Sequence, residues 1–96
     1  MRNAYIVTYD ISDPVRLRKV FKKMRGYGDR IQLSVFRCEL SAAELVMLRA
    51  ALTEIIHARD DQVLVIPLGP VQGRHDAGIT ALGRPFVEAE RRAVVV

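Results

Sequence analysis

Residues 4–9 form a run rich in Ile, Val, Thr and Tyr that predicts a strand. The pattern then changes period. Asp13 stands where a helix N-cap belongs and Pro14 at the first helical position, where a missing N–H costs nothing. Leu17, Val20, Phe21 and Met24 recur at helical spacing as one apolar stripe. Arg18, Lys22 and Arg25 make a second row, flanked by Arg16, Lys19 and Lys23. Gly26-Tyr27-Gly28 predicts the stop, because glycine takes left-handed backbone angles readily.

From Arg30 to Leu40 the pattern is extended but its phase breaks. Ile31, Leu33 and Val35 alternate in one register, Phe36, Cys38 and Leu40 in the other. A slip of one residue within a strand would expose a whole apolar set. A tight hairpin resolves this, with a bulge near Ser34-Val35 as the alternative. Ser41-Ala42-Ala43-Glu44 is a capping box with Leu40 and Leu45 as its staple. Leu45, Leu48, Leu52 and Ile55 carry a helical stripe to about His57. After a turn at Asp60-Asp61, Val63-Leu64-Val65-Ile66 predicts a strand ended by Pro67. The rest is rich in Gly and Pro, with a short strand expected around Ile79–Leu82.

The order strand, helix, strand, strand, helix, strand defines an α+β class, the ferredoxin-like βαββαβ arrangement. Both helices then cover one face of an antiparallel sheet, and the other face must meet solvent, a ligand or a second copy. The division expected is a ferredoxin-like domain over 1–70 and a C-terminal tail over 71–96, whose strand would pair across a homodimer.

Ninety-six residues make one domain. With half its residues apolar the chain is a packed globule rather than a disordered one. The net charge of +4 and a pI near 9.7 favour a polyanionic partner. The single cysteine, Cys38, excludes an internal disulfide, reads as a small buried hydrophobe and fits a reducing, cytoplasmic setting. No run approaches the 18 to 20 or so apolar residues that span a bilayer, and no Cys/His spacing suggests zinc.

Two features carry chemistry. Asp10, at the end of the first strand, can ligate a hard cation, Mg²⁺ or Mn²⁺; its alternative role is to brace the turn before the helix. The basic helix face has no acid between Asp13 and Asp29. It is either a solvated surface or a phosphate contact, and such a face binds without reading sequence. Tyr9 and Phe36 are either base-stacking platforms or core. Arg30 meets a phosphate or pairs with Asp29 or Glu39. His57 near a helix end and His75 in a loop read as structural or solvent-facing.

Tyr9-Asp10-Ile11-Ser12-Asp13, then Arg16-Leu17-Arg18-Lys19-Val20, Tyr27-Gly28, Arg30-Ile31-Gln32 and Ser34-Val35-Phe36 together resemble the CRISPR-associated protein 2 family. The likeness runs from about residue 4 to residue 68 and rests on the combination. It implies a ferredoxin-like homodimer that works with the CRISPR integrase to insert new spacers, and a metal-dependent endonuclease acting on RNA or DNA. The family's acidic metal ligand falls on Asp10, and its associated aromatic and basic positions on Tyr9, Arg16, Arg30 and Phe36. The helix is basic here where relatives often carry acids. Expected from these two lines together are catalytic Asp10 and Tyr9, metal at Asp10, and nucleic-acid contacts at Arg16, Arg18, Lys19, Lys22 and Arg30, with Phe36 stacking or structural. The partner is duplex DNA, with single-stranded RNA as the alternative. A non-catalytic adaptor that bridges integrase dimers is the rival reading.

Overall fold

The computed structural model describes residues 1–71 and 79–86; His75 and the remainder of the tail lie outside them. The order of elements is β1 (Asn3–Asp10), α1 (Pro14–Arg25), β2 (Gly28–Gln32), β3 (Val35–Leu40), α2 (Ala42–Ile55) and β4 (Gln62–Pro70). The strands form one antiparallel sheet in the order β2-β3-β1-β4. This is the ferredoxin-like arrangement that the pattern predicts.

Alternation sets the two faces of the sheet. Tyr5, Val7 and Tyr9 of β1 and Phe36, Cys38 and Leu40 of β3 point into the core, where Val20 and Met24 of α1 and Leu48 and Leu52 of α2 close over them. Ile6, Thr8 and Asp10 turn to the other face, beside their register partners Ile66, Leu64 and Gln62 on β4. Leu64 and Ile66 are 46% and 44% exposed, so this face is apolar and open among the described residues.

Both helices start as their caps dictate. The Asp13 carboxylate accepts the Arg16 backbone N–H at 2.9 Å, and the Ser41–Glu44 capping box closes with both of its hydrogen bonds. Three features differ from expectation. Helix α1 does end at Gly26, but with φ −81°, so no left-handed turn is made. Strand β4 runs through Pro67 to Pro70. It is an edge strand, where proline's missing donor faces outward, and the register shift opposite Ala4/Tyr5 accommodates the interruption. Residues 79–82 form no strand in the single chain. The phase break resolves as the expected hairpin, turning at Leu33-Ser34, with a bulge between Arg30 and Gln32 added.

Candidate active site at the end of β1

Strand β1 ends on Asp10, whose backbone is held opposite Gln62 while its side chain is exposed. Among the described residues this carboxylate has no hydrogen bond or ion pair. The turn that it was a candidate to brace is braced by others. Asp13 caps α1, and Ser12 donates both its backbone N–H (3.0 Å) and its hydroxyl (3.2 Å) to Asp61 Oδ1. Among the described residues Asp10 is thus an oxygen pair presented at a strand end, taking no part in bracing the turn.

It opens onto a cleft of about 550 Å³ that Tyr9, Arg18 and Arg30 also line, with Ile11, Leu17 and Leu33 as apolar wall. The β2–β3 turn is fastened to this end of the sheet by the Tyr9 backbone N–H, which donates to the Ser34 carbonyl at 3.1 Å. The Arg30 guanidinium lies 5.1 Å above the Phe21 ring, and Arg25 sits 5.5 Å from the same ring. An arginine held against an aromatic face is pre-set in direction at little entropic cost.

The two aromatic candidates are core. Phe36 is fully buried, stacked on Tyr9 with centroids 6.3 Å apart and tilted against Phe21 at 6.0 Å, so no base can stack on it. Tyr9 is only 6% exposed, though it is among the residues that line the cleft. Burial pushes its phenol above the usual range, against a downward pull from Arg30.

The basic helix face divides into three. Arg18 belongs to the Asp10 cleft. Lys19 and Lys22, with Lys23, line a separate groove of about 520 Å³ beside Tyr27 and Ile55. Arg16 turns to neither; its Nε donates to Asp61 Oδ2 at 2.7 Å and its Nη2 to Asp61 Oδ1 at 3.2 Å. Sequence reasoning missed Asp61, taking it for a turn residue. Its side chain is wholly buried, and the carboxyl is held well below the usual carboxylate range, first by Arg16 and then by the backbone N–H groups of His57 and Ser12. Locally it shows only the turn it makes with His57, while its partners Ser12 and Arg16 lie 49 and 45 residues away.

The family described as CRISPR associated protein Cas2 matches residues 3–75. The chain belongs to the Cas2 family. It is 42% identical over 94 residues to a Rhodospirillum rubrum protein named CRISPR-associated endoribonuclease Cas2 1, covering 98% of this chain and 91% of that one. A Geobacter sulfurreducens protein named CRISPR-associated endoribonuclease Cas2 is 38% identical over 96 residues, the whole of both chains. Among solved structures, Streptococcus pyogenes Cas2 superposes with a TM-score of 0.71 at 33% identity, covering 83% of this chain and 99% of that chain.

In this Cas2-family chain no group of three or more His, Cys, Asp or Glu side chains gathers among the described residues in a way that would hold a metal ion. Asp10 alone fits the mode of Mg²⁺, which takes one or two carboxylates and completes its shell with water and substrate phosphate. No helix among the described residues is long and apolar enough to cross a membrane.

Proposed function

We propose that this Cas2-family chain is a CRISPR adaptation subunit that binds nucleic acid and, as a homodimer with the integrase, inserts new spacers, and that Asp10 serves metal-dependent phosphodiester hydrolysis. The observation that carries the hydrolytic reading is the exposed, unpartnered Asp10 carboxylate at a cleft that also holds Arg18 and Arg30. Relatives from Rhodospirillum rubrum and Halalkalibacterium halodurans bear the names endoribonuclease and endonuclease.

Arg18 and Arg30 bind the phosphate and orient it toward Asp10. Tyr9 keeps its phenolic proton at neutral pH, since burial raises its pKa, and so serves as a hydrogen-bond donor rather than a base. Asp10 would hold Mg²⁺ or Mn²⁺, whose chemistry there would be Lewis-acid activation of water and neutralisation of phosphate charge. One carboxylate per chain is a thin ligand set, and a second copy across a two-fold axis doubles it. Asp10 lies on the open sheet face that such a copy would cover.

Asp10→Asn tests this directly. Cleavage of RNA or DNA is expected to fall by on the order of 100-fold or more, above the cost of a typical outer-shell change. Its Mg²⁺ dependence is expected to vanish while nucleic-acid binding persists. The lack of a ligand cluster among the described residues favours a second reading, a non-catalytic DNA-binding adaptor bridging integrase dimers. Wild-type protein that binds duplex DNA but cuts nothing with any divalent metal would establish that reading instead.

A further inference from the structure

We propose that Arg16 and Asp61 act as a positioning pair that holds the β1–α1 loop, and through it Asp10, in the working geometry, and that Arg16 is not a phosphate contact. The inference rests on the functional reading above and deepens it. Three observations carry it. First, the Nε–Nη2 edge of Arg16, the fork that clamps an oxyanion in bidentate fashion, is already closed on the two oxygens of Asp61 at 2.7 and 3.2 Å. Second, the pair is the hub of a loop-to-loop clamp. Asp61 Oδ1 accepts from the Ser12 backbone and hydroxyl, Asp61 Oδ2 accepts the His57 backbone N–H at 2.8 Å, and Arg16 Nη2 reaches Ser12 Oγ at 3.3 Å. Ser12 is two residues beyond Asp10, so the clamp fixes where β1 ends. Third, the ion pair cancels its own charge, whereas Arg18 keeps its charge at the cleft. A buried carboxylate tying a loop after β1 to the turn before β4 is a device for geometry, since removing either partner strands the other.

The test compares Arg16 with Arg18 in salt-dependent binding and in cleavage. Replacing a phosphate-contacting cation lowers the slope of log K against log [salt] by about 1. Arg18→Ala is expected to do so, and Arg16→Ala to leave the slope at its wild-type value. Cleavage is expected to fall by on the order of 10-fold in both Arg16→Ala and Asp61→Asn, through kcat with KM little changed. The double variant is expected to be no worse than either single one. Arg16→Lys keeps the charge but loses the two-nitrogen fork that closes on both Asp61 oxygens, so its cleavage is expected to match that of Arg16→Ala; recovery would show that only charge matters and overturn the bidentate pairing. A slope change in Arg16→Ala equal to that of Arg18→Ala would overturn it too, as would wild-type cleavage by folded Asp61→Asn. Wild-type protein with neither cleavage nor salt-dependent binding would sink the functional reading instead. Amide exchange at Ser12 then still decides the clamp: faster exchange in Asp61→Asn sustains it, and unchanged exchange removes it.

Discussion

A Cβ on Gly28 would lie 2.5 Å from the Arg37 carbonyl oxygen and 2.6 Å from Cys38 Sγ, distances that real side chains do not reach. Glycine is required there by the closeness of β3. Gly28→Ala is expected to destabilise the fold by about 1–3 kcal/mol, the usual range for overpacking, read as a lowered thermal midpoint. The neighbouring Cys38 is fully buried, and burial, with a smaller contribution from Asp29, pushes its thiol up to about 12. Folded protein at pH 8 should therefore resist a disulfide reagent, and react promptly once unfolded in guanidinium. Asp61 brings a pH dependence of definite sign. Its folded-state carboxyl titrates below the unfolded value of about 3.9, so the network's contribution is complete above that value and is lost as pH falls below it toward the folded one. Urea titrations are expected to show stability falling as pH drops below about 4, with a shallower fall in Asp61→Asn. A fall of the same steepness in that variant would assign the acid sensitivity to other carboxylates.

At the scale of elements, caps and periods did most of the specifying. Asp13-Pro14 and Ser41–Glu44 place both helix starts from a few adjacent residues, and the structure realises each of them bond for bond. Ser41→Ala removes the hydroxyl that caps α2 and is expected to cost about 1 kcal/mol in chemical denaturation. What the sequence hid was non-local. Pro67 read as a stop because a lone strand gives no hint that it will lie at a sheet edge, where a missing donor is tolerated. The apolar phases of β2 and β3 announced a hairpin, yet not the added bulge between Arg30 and Gln32, which depends on how the two strands meet. The candidate site shows the same division. Asp10 at the strand end was legible from its place in the pattern. The allocation of α1's cations was not, since helical spacing alone cannot say that Arg16 meets a carboxylate 45 residues away while Arg18 turns to the cleft.

For the molecule as a whole, the decisive feature is the sheet face that neither helix covers. Ile6 and Ile66 are register partners on it, Leu64 stands beside Thr8, and both β4 side chains are nearly half exposed. Apolar surface left in water forgoes roughly 25 cal/mol per Å² on burial, and a stable pair of proteins buries about 800 Å² on each side. A two-fold stacking of this face on itself would bury the patch by repeating one surface, as isologous dimers do. Because Asp10 lies on the same face, opposite Gln62, the same contact would draw the two carboxylates toward a common axis. On the proposed function assembly and catalysis would be linked, and one substitution probes both. Ile66→Lys places a charge in the middle of the apolar patch and is expected to shift the mass seen by light scattering from twice 10.8 kDa to 10.8 kDa. Cleavage should fall with it, although Ile66 is not among the residues that line the cleft. A monomeric variant that still cuts at the wild-type rate would show that each chain carries a complete site. A wild-type protein already monomeric at micromolar concentration would leave the open face to another partner.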